Sequence, residues 1–161
     1  MPISFRIVPD RGLLLVRFHG CVTTAEIKAA SDAYVTDAAY APGQRQLVDL
    51  TDITGYDIDY VTFMKLQAAK AERLALAGVQ SIVAYIAPTP VSQEVSALFV
   101  RSWADVEAVV PVVQPTREAA LALLGEPEDS LADLLALAHG RALQFLCKHP
   151  NLTYVQFEPL R

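Results

Sequence analysis

The chain has 161 residues, 53% of them apolar and 19% charged, with a net charge of −5. That composition excludes a disordered polymer and predicts one globular unit large enough to bury a core without staples. Its 13 basic residues are scattered, which excludes nucleic acid as a main partner, because a phosphate backbone needs a clustered Lys/Arg surface.

Ile3 to Val8 and Leu13 to Phe18 read as two strands of a hairpin around Pro9-Asp-Arg-Gly12, where proline presets φ and glycine takes positive φ. Ile3, Phe5 and Ile7 define a buried face, and the nearly all-apolar second strand predicts a central position, ending at Gly20-Cys-Val. Thr23-Thr-Ala-Glu26 is a capping box that opens a helix to about Asp37. After the loop Ala41-Pro-Gly43, Gln46 to Leu50 predicts a short buried strand, followed by an acidic turn over Thr51 to Asp59. Asp57 or Asp59 caps a long helix to about Ala77, with Tyr60, Phe63, Met64, Ala71 and Leu74 on or near its apolar stripe and Gly78 as its stop. Val79 to Ala87 is a strand, and Pro90 opens a helix to about Trp103 carrying Val91, Val95, Leu98 and Phe99. Val106 to Val113 is a further strand, placed at an edge by Pro111, and Thr116 to Leu124 is a short helix.

The remainder reads as an addition to a domain of residues 1–125. Glu126-Pro-Glu-Asp is a linker, and Ser130 to Lys148 an amphipathic helix with Leu131, Leu134, Leu135, Ala138, Ala142, Phe145 and Leu146 aligned. Asn151 to Phe157 alternates like a strand. Such a wide apolar stripe, added to a domain already furnished with helices, predicts a homodimer in which residues 130–157 supply much of the interface.

The order ββαβαβαβα predicts an α/β fold with an N-terminal antiparallel hairpin and otherwise mostly parallel strands. This order, with Pro9-Asp-Arg-Gly-Leu-Leu-Leu-Val-Arg-Phe-His-Gly-Cys-Val-Thr and Asp49-Leu-Thr-Asp-Ile-Thr, resembles the STAS-like fold of the SpoIIAA-like anti-sigma-factor antagonists over residues 1 to about 125. The resemblance implies a regulatory protein-interaction module. In that family a serine at the helix start after the third strand is phosphorylated. Matching Asp57 to the family's aspartate puts Ile58 and Asp59 at its two serines and Tyr60 at its glycine, so the resemblance implies a domain without the phosphorylatable hydroxyl.

The turn after a strand is where ligands and partners dock in open α/β sheets, which selects Asp52, Thr54, Tyr56, Asp57 and Asp59 as the partner-facing set. No metal is expected there: the spacing of Asp49, Asp52, Asp57 and Asp59 is not that of an EF-hand, and two of them have capping duties. Thr51 stands where an Asp-x-Asp phosphatase would need its general acid. His19 and Cys21, two apart at a strand end, read as packing rather than as a nucleophile pair. Cys21 and Cys147 are expected to be free, buried thiols. His139 and His149 complete no zinc spacing, and Ser92 and Ser96 lack a nucleophile elbow. Phe63, Met64, Tyr85, Phe99 and Trp103 are read first as core and second as the wall of an apolar pocket.

No apolar run reaches the roughly 18 residues of a membrane span, and Met-Pro-Ile-Ser-Phe-Arg-Ile carries no signal-peptide pattern. The leading expectation is therefore a non-enzymatic, cytoplasmic, homodimeric interaction module with an unnamed protein partner and no cofactor. The alternative is a carrier or sensor of a small, lipid-like apolar ligand.

Overall fold

The computed structural model describes residues 2–126. The linker beyond Glu126, the helix over 130–148, the strand over 151–157, Cys147, and the dimer interface expected of them lie outside the described residues.

Among the described residues, a five-stranded mixed sheet carries four α-helices. Strands β1 (Ile3–Val8), β2 (Leu13–Thr23), β3 (Arg45–Asp57), β4 (Ser81–Ile86) and β5 (Val109–Gln114) stand side by side in sequence order. The β1–β2 pair is antiparallel and the other three pairs are parallel. Helices α1 (Thr24–Thr36), α2 (Tyr60–Ala77) and α3 (Pro90–Ser102) bridge the parallel strands, and α4 (Arg117–Leu123) follows β5. Crossovers between parallel strands are right-handed, and here each steps in the same direction across the sheet. They therefore lay α1, α2 and α3 on one face, over Phe18, Val48, Leu50, Val83 and Tyr85. On the second face, α4 packs Ala120, Leu121 and Leu124 against Leu13, Leu15, Leu47, Ala84 and Ile86.

Local chemistry sets the helix ends where the sequence places them. Thr23 accepts from the Glu26 amide while the Glu26 carboxylate accepts from the Thr23 amide at 2.8 Å, a complete capping box. Asp59, not Asp57, caps α2, and Gly78 ends it in the left-handed conformation at φ 64°. Thr89 and Thr116 cap α3 and α4, with Pro90 in the first turn of α3. Pro111 lies in β5, an edge strand.

Several sequence expectations change. β2 does not stop at Gly20: Gly20 takes φ 68°, a bulge follows, and the strand continues to Thr23. β3 is not a five-residue strand with an acidic turn. It runs as strand through Asp57, because β2 keeps pairing with it as far as Thr23↔Asp57. Cys21 is exposed, since it falls on this strand-end ribbon rather than in the core. Glu126 is no loose linker residue: it is buried, 3.0 Å from Arg45 and 3.8 Å from Arg11. β2 is interior, but the middle place belongs to β3.

Candidate functional site

The acidic segment forms the outer half of a two-stranded ribbon. β4 pairs with β3 only from Gln46 to Asp49, so beyond Leu50 β3 is held by β2 alone. Two register shifts, between Arg17 and His19 and between Gly20 and Cys21, give β3 extra residues and bend the pair. As a result Leu50 and Ile53 both reach the helix-side core, although an unbroken strand would turn residues three apart to opposite faces.

Most of the acidic side chains are already engaged. Arg17 donates from Nε at 3.1 Å and from Nη2 to Asp52. Asp59 accepts from the Val61 amide at 3.2 Å and from the Thr62 hydroxyl, and those bonds, Thr62 first, hold its carboxyl below the usual range. The Tyr56 hydroxyl donates to Glu94 at 3.2 Å, which pushes its pKa up. Thr54 and Asp57 are exposed with no such partner among the described residues. Behind the ribbon, on the α4 face, the buried Asp49 accepts from Arg117 at 2.7 Å and from the Thr51 amide at 3.0 Å. Burial alone would raise its pKa, but the Thr51 and Arg117 hydrogen bonds outweigh it and hold the carboxyl below the ordinary range. No group of three or more His, Cys, Asp or Glu among the described residues is arranged to hold a metal ion.

Among the described strands the order never reverses, so they form no topological switch point, where strand ends of an open sheet part into a crevice.

The concave feature lies at the opposite end of the strands. A cavity of ≈ 110 Å³ opens between the sheet and the C-terminal halves of the first three helices. Its floor is Leu14, Val16, Val48, Val83 and Tyr85, and its walls include Ile27, Ala30, Tyr34, Phe99 and Trp103. Phe99 organises the aromatic side of this core: Phe18 and Phe63 meet its ring edge-on at 6.0 and 5.0 Å, and Tyr85 lies tilted at 5.4 Å. The Trp103 indole N–H donates to the Tyr85 hydroxyl at 3.1 Å, and burial raises the Tyr85 pKa. Of the five aromatic and methionine positions singled out in the sequence, Tyr85, Phe99 and Trp103 line the cavity. Phe63 is buried beside Phe99, and Met64 is half-buried outside the lining.

Lys70, Arg73 and Leu74 of α2 cover the cavity. This helix is thinly held: of its 18 residues only Phe63 and Gln67 are buried. Gln67 donates to Ser102 at 2.9 Å, leaving its own carbonyl oxygen without a partner. Sequence alone does not mark the cations of α2, since Lys and Arg three apart on a helix ordinarily form a solvated face; their one signal is that Lys70, Arg73 and Leu74 share one face at helical spacing.

No protein-family model matches the chain, and no curated protein matches it. Among solved structures, that of the anti-sigma factor antagonist SpoIIAA in its unphosphorylated form is similar, at 14% sequence identity and a TM-score of 0.45. The match covers 76% of this chain and 97% of that one.

Proposed function

We propose that the chain is a non-enzymatic binding module that takes a small apolar molecule into the cavity beneath α2. The supporting observation is an apolar chamber of ≈ 110 Å³, walled by Tyr85, Phe99 and Trp103 and roofed by a helix with two buried side chains. An apolar guest seated there would take the apolar side chains of the wall out of contact with water. Trp103 is the single tryptophan of the chain and stands in the wall. Titrating the protein with octan-1-ol should therefore change its intrinsic fluorescence saturably, and native mass spectrometry of freshly purified protein should show a co-purified small molecule. An Ala30→Phe variant, which fills the chamber, should abolish both. Unchanged fluorescence with no bound mass in the wild type refutes the reading.

A second reading is favoured by the ribbon. Thr54, Tyr56 and Asp57 project from strands whose outer edges are unpaired beyond β1 and β4, and exposed strand edges are templates for a further chain. Together with Asp52 and Asp59 they would form a regulatory partner surface. Since Asp52 is tied to Arg17, the discriminating variant is Asp57→Lys combined with Tyr56→Ala. Its melting temperature should match the wild type while capture of a partner protein is lost; unfolding instead would make the segment structural.

A further inference from the structure

Lys70 and Arg73 are the cationic groups of the cavity lining, one helical turn apart on the face of α2 that turns to the chamber. Lys70 is half-buried and Arg73 exposed, so the pair marks the mouth rather than the floor. Neither forms a side-chain ion pair or hydrogen bond among the described residues, unlike Arg11, Arg17, Lys28, Arg45 and Arg117, and neither Lys65 nor Arg101, which share that lack, lines the cavity. Of the carboxylates near this end, Glu72, Asp105 and Glu107 border a neighbouring open groove, and Asp37 at the end of α1 accepts from the Ala39 amide at 2.8 Å. Desolvation and the Arg73 charge push the Lys70 ammonium down to about 8, so the two positive charges oppose one another at the rim. Two adjacent cations with no ion-pair partner among the described residues, at the lip of a mainly apolar chamber, are complementary to a molecule with one anionic end and one apolar end.

We infer that the cavity binds a carboxylate-ended amphiphile, its tail against Val83, Phe99 and Trp103 and its head held by Lys70 and Arg73. This rests on the cavity reading above and adds to it the chemistry of the head group. The chamber is smaller than the roughly 150 Å³ void that accepts benzene, so it seats only part of an alkyl tail, and the rest of a longer chain lies in the mouth or lifts α2. The Arg fork and the Lys point charge together suit a carboxylate. An amine head would add a third cation at the mouth, and an alcohol would leave both cations unpaired.

Three probes with one tail decide the matter: octanoate, octan-1-ol and octylamine, each titrated into the full chain at pH 7 and low salt, followed by Trp103 fluorescence and calorimetry. Octanoate is expected to bind at least tenfold tighter than octanol, and octylamine weakest. Lys70→Met and Arg73→Met, singly and together, keep apolar stems on the same helix face; circular dichroism confirms that they fold. The double variant should lose the preference and bind octanoate no better than octanol. If wild-type octanol and octanoate bind equally, or octylamine binds tightest, the head-group assignment is overturned while the apolar cavity stands. If the double variant keeps the full octanoate preference, the anion is held elsewhere and the assignment to Lys70 and Arg73 fails. If none of the three probes perturbs Trp103 or releases heat, the cavity reading itself falls.

Discussion

At the scale of single residues, the described domain spends its buried charges on long-range ties. Arg45, at the start of β3, donates to the Leu124 carbonyl, to the Arg11 carbonyl at 2.7 Å and to Glu126 at 3.0 Å, joining the β1–β2 hairpin, the central strand and the end of α4. Further along β3, Asp49 and Arg117 tie the strand to the start of α4. Removing Arg117 leaves a buried carboxylate with Thr51 as its remaining partner, whereas Arg117 itself is half exposed and can be resolvated. Arg117→Met should therefore destabilise the fold at pH 7 by about 1–2 kcal/mol, a charged hydrogen bond discounted for that exposure. Because the Asp49 pKa is depressed in the folded state, its contribution is complete above the ordinary carboxylate range of about pH 4. It disappears as acidification protonates the folded carboxyl. Urea denaturation across pH should show the gap between wild type and variant closing on the acid side; a constant gap would mean that Arg117 acts by packing alone.

At the scale of elements, α2 is the outlier. α3 buries Ser92, Val95, Ser96, Phe99 and Ser102, while the longer α2 buries Phe63 and Gln67 and leaves Tyr60, Val61 and Leu76 exposed. A helix draws most of its stability in a protein from the face it buries. Phe63 is fully buried against Phe99, so Phe63→Ala should cost about 3–5 kcal/mol by denaturant titration. Leu76→Lys, at 82% exposure, should cost almost nothing. Native-state hydrogen exchange should find the second half of α2, from Lys70 to Ala77, opening well below the free energy at which α3 opens. Equal protection of the two helices would remove the physical basis for a helix that yields to a guest.

At the scale of the whole molecule, the two ends of the sheet differ in kind. One end carries the bent acidic ribbon, the other the apolar chamber with its basic rim, and the parallel β2–β3 and β3–β4 pairs run between them. A guest that binds only the folded state raises the melting temperature by mass action. Octanoate should therefore raise it with a concentration dependence that matches its calorimetric affinity, and fail to do so in Lys70→Met/Arg73→Met. We also propose a homodimer built through residues 130–157. Light scattering of the full chain should give twice the mass of one chain, and truncation after Glu126, which keeps the ties to Arg11 and Arg45, should give a monomer or an aggregate. A truncated protein that stays a well-behaved dimer would assign the interface to residues 1–126.

Local patterns in the sequence determined the elements and their order. Thr23 with Glu26, Pro90, Gly78 and Pro111 each act through their own backbone and nearest neighbours, so their effects are legible without a fold. The alternation of strands and helices likewise implied a mixed sheet with one antiparallel pair. Tertiary structure alone decided what lies beyond local reach. The acidic segment became strand because β2 runs alongside it from more than thirty residues away, overriding turn-like composition. Glu126 became buried because two arginines converge on it. The chamber beneath α2 exists because sheet and helices meet imperfectly there, and packing gaps are properties of several elements at once. No periodicity in one segment records the space left between it and the others.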